Sequence, residues 1–454
     1  MALSIDAYYP GIMLPDSTFV YDQARELIPY NDYHPVLMAF AWRLMLHILP
    51  GPVGPLVLFN VLFWGGIALI AMAACRRHAA IAGLIICILM LLPNVIGYTG
   101  VILNDVLIAA FWCLAFGVLY ARMASGSGRR AQRVLALLGL LSAMLGVLAR
   151  INGWFAAIPI LIEAAGGLTK KRIRTAILLW ACLPVLWIGF SRVLAAEPHS
   201  PVDGIFVADL GALSHLEGRN LFPGHWTQLQ SRAIAHTCYN GRGYNVYGIT
   251  RCSFVVQGLF SQKLWGSHEL METWMWAVAG DPIGYVRSRV LFFLNTTIAP
   301  ANRLMLASDG RTIGFPYEGN NFLSRGMLHY VRYFEATFLF IPAFWIGLGI
   351  VDLVGLALVA KGGHDAFSGV TRALILSGVV YALTYLFFGV SGDYRYYLWT
   401  VISIAIGTMM LILDLMHGMV RGRGAAGCFT RPFSSLGHKI PGKSDAGVSH
   451  METF

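Results

Sequence analysis

The sequence predicts an all-α polytopic membrane protein, and three observations carry that expectation. Of the 454 residues 57% are hydrophobic and only 12% charged, where soluble domains carry about 25% charged residues. Mean hydropathy is +0.63. Apolar runs recur at or near the ~20 residues a helix needs to cross the hydrocarbon core of a bilayer. They fall at 55–74, 79–96, 102–121, 134–149, 154–169, 175–195, 337–360, 373–390 and 398–416, about nine transmembrane helices by that criterion. The two runs that flank Arg150 are short, so a single hairpin dipping in from one side is the alternative there.

The chain opens on a polar stretch, Pro10 to Pro35, PGIMLPDSTFVYDQARELIPYNDYHP. It carries Asp16, Asp22, Glu26 and Asp32, one arginine (Arg25) and a His34-Pro35 pair. Residues 1–34 lack the basic start and apolar core of a cleavable signal peptide. The next run, VLMAFAWRLMLHIL (36–49), is too short to span and holds Arg43 and His47, which suits a helix lying along the interface.

Basic residues set the orientation, because cytoplasmic loops carry an excess of Lys and Arg. One set of loops holds Arg76, Arg77, Arg122, Arg129, Arg130, Arg133, Lys170, Lys171, Arg172, Arg174, Lys361 and Arg372, and the tail adds Arg421, Arg423, Arg431, Lys439 and Lys443. The short loops of the other face hold Arg150 and Arg395. The predicted organisation is an outer loop with interfacial helices (1–54), six spans (55–195), an outer segment (196–332), three spans (333–416) and a disordered basic cytoplasmic tail (417–454). In a bacterial cell this corresponds to the inner membrane, with the outer face periplasmic. The net charge of +10 resides mostly in these loops, so nucleic acid is not an expected partner. Nine spans and a cytoplasmic tail leave Met1 on the outer face with no helix to carry it there. The expectation is a reading frame that extends upstream into another apolar helix, or a truncated copy.

The segment 196–332 is rich in Gly, Tyr, Trp and Asn, with turn signals at Pro223-Gly224 and Asn240-Gly241, and reads as a loop-rich cap. Within it, 268–294 reads as two amphipathic helices broken at Asp281-Pro282, the second resting on the membrane surface with Arg287 and Arg289 among apolar residues. No internal repeat of fixed period is visible. Of the seven cysteines, Cys238 and Cys252 lie in the outer segment, where an oxidising compartment would join them. Such a bridge is worth roughly 3 kcal/mol. No Cys/His spacing matches a structural zinc site.

Candidate chemistry concentrates on the outer face. Asp16 is placed to act as a general base toward an acceptor hydroxyl if burial raises its pKa; the competing reading is an N-cap for a helix starting near Ser17. Asp22 and Glu26 share that helix and read equally well as its solvated face. His34 would bind a phosphate as imidazolium or pass on a proton, or else sits in a simple turn. Asp105 lies near the outer start of a span, where an intramembrane carboxylate is a functional candidate or merely marks the helix start. Arg150 and Arg395 carry guanidiniums suited to gripping a lipid phosphate through parallel hydrogen bonds, against snorkelling to headgroups. Asp352, well inside a span, has no enzymatic role and favours a transporter path.

Taken together, the chain resembles the GT-C class of polytopic glycosyltransferases, which use polyprenyl-phosphate-linked sugars and include bacterial protein O-mannosyltransferase-like and aminoarabinose-transferase-like enzymes. The resemblance rests on Asp16 through Ala24, of the type D-x-x-x-Y-x-x-x-A, followed by Tyr33-His34-Pro35. It continues through Asp105 at a span start, Arg150-Ile151-Asn152-Gly153 with Pro159 following, and Arg395-Tyr396 entering a late span. A Trp-x-x-Ala…Asp-Pro-x-x-Tyr-x-x-x-Arg run over 274–289 also looks like bacterial members. Two features depart from the pattern: the family's Asp-Glu pair is Asp16-Ser17 here, and its opening membrane helix is missing.

The resemblance implies inverting transfer of a sugar from a polyprenyl-phosphate donor to an outer-face acceptor, which is a glycan, a lipid or a protein. Asp16 would be the base, and Asp22, His34, Asp105, Arg150, Arg395 and Tyr396 would bind substrate. No cofactor is fixed, and a divalent metal ion stays open. The alternatives are a secondary transporter or lipid flippase using Asp105 and Asp352, and a membrane scaffold whose outer segment binds partners.

Overall fold

The computed structural model describes residues 1–427 other than 127, 195, 249, 301, 305–313, 318–320 and 360–365. Apart from isolated bridges, the described residues form helices and loops with no β-strand. The first helices are α1 (Ala2–Tyr8), α2 (Pro15–Ala24), α3 (Val36–Leu46), α4 (Val53–Arg77), α5 (Ala80–Leu89) and α6 (Pro93–Ile96). Then come α7 (Asn104–Ala124), α8 (Arg129–Ala149), α9 (Ala157–Ala164) and α10 (Lys170–Val193). Next come α11 (Asp203–Glu217), α12 (Gln228–Ala233), α13 (Asn245–Gly248), α14 (Phe254–Ser261), α15 (His268–Gly280), α16 (Pro282–Ile298) and α17 (Phe322–Phe334). The chain continues through α18 (Pro342–Val359), α19 (Ala366–Phe388) and α20 (Leu398–Gly427). One unit spans Met1–Leu413, and a second runs from Asp414 onward.

Among the described residues six segments are long and apolar enough to cross a bilayer: Val53–Arg77, Asn104–Ala124, Arg129–Ala149, Lys170–Val193, Gly369–Phe388 and Tyr394–His417. The chain is a polytopic membrane protein. The remaining three predicted spans are shorter helices, each for a local reason. In 79–96, helix α5 stops at Leu89 and Pro93 restarts the chain as a separate turn, since proline lacks the N–H that would continue the ladder and restricts the residue before it. In 154–169, the three-residue turn Ile151–Gly153 delays α9, and Gly166 and Gly167 end it at φ +107° and +99°. In 337–360, the helix proper begins at Pro342, after a short 3-10 turn at Phe338–Phe340. The hairpin alternative around Arg150 fails on α8, which alone is 21 residues long. Helix α3 is the short apolar helix expected before the first span.

Helices α4 and α7 pack closely because small residues face each other: a side chain on Gly66 would collide with the backbone of Cys113, and one on Gly117 with that of Gly66. Around this pair the main core gathers Trp42, Phe59, Phe63, Trp112, Phe116, Tyr381, Tyr397 and Trp399, all buried. Of the tail expected to be disordered, α20 includes the residues up to Gly427 because no proline interrupts the run; 428–454 lie outside the described residues.

Segment 196–332, expected as a loop-rich cap with two amphipathic helices, carries α11–α16 and the start of α17 between its loops. It has a core of its own, including Phe206, Leu210, Phe222, Ile234, Tyr247, Leu259 and Leu270. Cys238 and Cys252 are disulfide-bonded there, with Cα atoms 5.8 Å apart. The break at Asp281-Pro282 is as read: Asp281 caps α16 through Gly284 N–H, with Pro282 in its first turn. Arg289 departs from expectation. Ile283, Val286, Val290 and Leu294 form the exposed stripe of α16, while Arg289 turns inward to Asp209 on α11, Nε to Oδ1 2.7 Å, with both side chains buried. The indole of Trp274 on α15 donates to the same carboxylate at 2.9 Å.

Candidate active site

Three helix ends converge beneath the cap, each bearing the charge its dipole favours. Asp16 lies in the first turn of α2, and Asp105 in the first turn of α7. Arg150 is the C-cap of α8. Arg395 joins them from the 3-10 turn Tyr394–Tyr397 that leads into α20. The carboxylates therefore sit at positive helix ends and Arg150 at a negative one.

The side chains form one chain of ion pairs. Arg150 Nε lies 2.9 Å from Asp105 Oδ1. Arg395 Nη1 lies 2.7 Å from Asp16 Oδ2, and its Nε lies 3.3 Å from Asp393 Oδ2 and 4.0 Å from Asp105 Oδ2. Both guanidinium carbons lie 5.0 Å from the centroid of the Tyr396 ring, within cation–π range. Arg395 Nη2 also donates to the Tyr396 hydroxyl at 3.1 Å, and Tyr385 stacks on that ring at 5.3 Å. Asp105 is 2% exposed, whereas the Asp16 side chain is 37% exposed. The inner pair is thus sealed and the outer carboxylate opens on solvent.

A small cleft lies over this network, lined by Asp16, Ser17, His34, Asn104, Asp105 and Arg150 together with apolar side chains. Asp16 does not cap α2. Ser17 does so, accepting from Leu14 N–H at 3.0 Å, which leaves the Asp16 carboxylate to Arg395. Burial pushes the pKa of Asp16 up, but Arg395, then His34 and Arg150, outweigh it and hold the carboxyl below its ordinary range. The rise expected of a buried base is absent: Asp16 rests ionised. His34 is the reverse case, with burial as the main cause and the two arginines adding to it, against Asp16. Its pKa falls to about 4, so the ring is neutral at pH 7 and does not act as a resting imidazolium. Asp22 does not line the cleft.

The cap fixes the loop that presents Arg395. Arg289 Nη1 donates to the carbonyl of Gly389 at 2.8 Å, Tyr244 N–H to that of Val390 at 2.7 Å, and the Asn245 amide to Ser391 Oγ at 3.0 Å. Gly243, at φ +90°, is required there, because a side chain would strike the Val390 carbonyl. The Asn302 amide donates to Asp393 Oδ1 at 2.7 Å, leaving Oδ2 for Arg395. Asn302 carries no sequence signal, being one asparagine in an irregular stretch; Asp393 was legible as a neighbour of Arg395 and proves to be a direct partner.

On the other side, the loop between α2 and α3 is joined to the segment that precedes α11. Asp32 N–H donates to Glu197 O at 3.1 Å and Glu197 N–H to Tyr30 O at 2.8 Å, and an Asp32 carboxylate oxygen accepts from His199 N–H. Tyr33 lies within electrostatic reach of the site: burial raises its hydroxyl, Asp16 pushes the same way and Arg395 opposes.

Among the described residues no group of three or more His, Cys, Asp or Glu is gathered so as to hold a metal ion, and the carboxylates of the cleft face guanidiniums. This donor set does not fit the divalent ion the sequence left open. Asp352 sits apart from the cleft-lining residues and accepts from the Thr408 hydroxyl between α18 and α20, a partner that accounts for its burial.

No family model matches this sequence, and no curated protein does. Solved structures with a similar chain path include the archaeal oligosaccharyltransferase AglB from Archaeoglobus fulgidus in complex with an inhibitory peptide and a dolichol-phosphate, at TM-score 0.39 and 9% identity. The apo form of the Archaeoglobus fulgidus oligosaccharyltransferase matches at 0.39 and 11%. In both cases 95% of this chain is covered, and the chain spans 51% of the other protein. ArnT from Cupriavidus metallidurans, apo, matches at 0.33 and 12%, covering 90% of this chain and 75% of that one. At such identities and scores none of these likenesses assigns a substrate or an activity to this chain.

Proposed function

We propose that the protein is a membrane glycosyltransferase that moves a sugar from a polyprenyl-phosphate carrier to an acceptor on the outer, periplasmic face of a bacterial inner membrane. The observation that carries this reading is the ion-pair network of Asp16, Asp105, Arg150 and Arg395, three of which line one small cleft. A lipid-linked donor needs an anion site at that depth, and a hydroxyl acceptor needs a carboxylate beside it.

In the reaction, the acceptor oxygen forms a bond to the anomeric carbon while the bond from that carbon to the phosphate oxygen breaks. Polyprenyl phosphate leaves with the bonding electrons, and the hydroxyl proton passes to Asp16. Arg395 and Arg150 stabilise charge on the departing phosphate, as preorganised cations do. Arg395 Nη1 is bound by Asp16 at rest, so phosphate entry exchanges one anion for another and releases Asp16 toward the acceptor. A weak base suffices, because the hydroxyl becomes strongly acidic once its oxygen has bonded to the anomeric carbon.

The test is lipid extraction from the purified protein, followed by glycan comparison of wild-type and deletion strains. The expected result is a co-purifying polyprenyl phosphate that Arg150→Ala diminishes, with a missing or altered envelope glycan in the deletion strain. Purified protein free of any polyprenyl phosphate, with titrated undecaprenyl phosphate failing to bind, overturns the reading.

A further inference from the structure

An aromatic surface runs from the cleft onto the cap, and none of the chemistry above uses it. It begins at His34, which lines the cleft with Asp16. The Tyr33 ring lies 5.0 Å from that of His34 and is 43% exposed. The neighbouring Asp32 binds His199 N–H, and the Trp265 indole donates to the His199 carbonyl at 2.8 Å. Trp265 is therefore fixed beside the Tyr33 turn. Tyr244 lies 6.2 Å from Trp265, and Phe260 stacks on Trp265 at 4.9 Å, with 52% of its surface exposed. Burial raises the hydroxyl of Tyr244, and Tyr33 adds to the shift, which puts these two rings in electrostatic reach of one another.

We propose that Tyr33, Tyr244, Trp265 and Phe260 form a saccharide-binding track that delivers a glycan acceptor to the cleft. This rests on the transferase reading and narrows its acceptor to a saccharide. Tyr33 and Phe260 are about half-exposed, and Phe260 stacks on Trp265, whose indole is fixed by a hydrogen bond; such rings offer flat apolar faces with a negative quadrupole, which match the C–H faces of pyranose rings. A peptide acceptor is the less suited occupant. One way to capture an extended peptide is to add a strand to a free backbone edge, and the short edges next to Tyr33, 30–32 and 197, are already paired with each other. The track also continues directly from the proposed base, as an acceptor site must.

The experiment uses the full-length protein in lipid nanodiscs, titrated separately with short linear glucans, mannans and chitin oligomers, with a Ser/Thr-rich peptide, and with undecaprenyl phosphate. At least one oligosaccharide is expected to bind saturably. Phe260→Leu keeps apolar bulk but removes the flat face, and it should weaken that binding about three- to tenfold while leaving undecaprenyl phosphate binding unchanged. Tyr33→Ala should weaken saccharide binding as well. A purely packing role for Phe260 predicts wild-type saccharide affinity in the leucine variant, and that result overturns the track. So does binding of the peptide in place of every saccharide, or failure of all the saccharides. Loss of undecaprenyl phosphate binding alone, with ring-dependent saccharide binding intact, removes the donor half of the transferase reading and leaves the track standing.

Discussion

Two carboxylate–guanidinium systems lie in this molecule, and they are built to opposite ends. In the cap, Asp209 and Arg289 form a pair that is buried on both sides and finished at its far ends by the Trp274 indole and the Gly389 carbonyl. Beneath the cleft, Asp16, Asp105 and Asp393 share Arg150 and Arg395, and the chain ends in the part-exposed carboxylate of Asp16. The first system has no room for a ligand and ties three cap helices to the loop that carries Arg395. The second ends in the most exposed of its carboxylates at the cleft, so an incoming phosphate can take the place of Asp16 on Arg395. The difference separates a charge pair that holds structure from one arranged to be exchanged.

The largest expected effect tests the exchangeable side. Asp16→Asn preserves shape and removes the proton acceptor, so transfer should fall by about 10²–10⁴. Binding of undecaprenyl phosphate should survive or tighten, since the competing charge on Arg395 is gone. Turnover assays and a binding titration on the same preparation check this. Normal turnover would sink the assignment of the base, and lost phosphate binding would sink the exchange.

The next effect tests the structural side. Breaking a buried ion pair by removing one partner costs about 3–5 kcal/mol, so Arg289→Ala should lower unfolding stability by that order, read by thermal denaturation in detergent. Replacing both partners, Asp209→Leu with Arg289→Met, should recover much of it. If Arg289→Ala leaves stability unchanged, the contrast between the two systems is lost.

How much of this was legible in the sequence follows from the same contrast. Arg150 and Arg395 stood out because basic residues are sparse in the short loops of that face, Asp16 as a carboxylate in a polar loop and Asp105 as one at a span start, and the structure brings all four together. Their pairing was not legible, because Asp16 and Arg395 are separated by 379 positions and no local pattern records such contacts. Arg289 was misread because periodicity shows that a helix has two faces, not which one meets protein and which meets lipid. The helices of the cap were hidden by Gly and Pro punctuation between short apolar turns, although α11, DGIFVADLGALSHLE, carries a readable apolar face. Three of the expected spans are interrupted or shortened helices, because hydropathy windows average over Pro93, the Gly166-Gly167 pair and Pro342, where the helices stop or start.

A smaller effect sharpens the cleft. Arg150→Ala removes one charge-assisted donor and should weaken undecaprenyl phosphate binding by about 1.5–3 kcal/mol, roughly ten- to a hundredfold, with a flatter dependence on salt. Because it also uncovers buried Asp105, stability should fall in the same variant. Arg150→Lys separates the two effects: it keeps the charge near Asp105 but loses the planar fork. If lysine restores phosphate affinity fully, two-point binding by this guanidinium is excluded.

The smallest effect concerns His34 and acts through pH. Its folded-state pKa is lowered to about 4, chiefly by burial, against about 6.5 for an unperturbed histidine. Between these two values the unfolded chain binds a proton that the folded protein refuses, so linkage makes stability fall as pH drops from about 6.5 toward 4. Asp16 moves the same way in pKa, with the same sign of outcome. Its depressed value means that its contribution is present above the ordinary carboxylate range and is lost as pH falls through the folded value. The two groups thus destabilise in successive windows on acidification, histidine first. His34→Gln should abolish the upper window and leave the lower one, which thermal melts across that range would resolve. It should also leave phosphate binding at pH 7 nearly unchanged, because the ring it replaces is already neutral. A His34 resonance titrating near 6.5 in the folded protein would show instead that the imidazole is solvated, and that the cleft opens wider than its resting contacts allow.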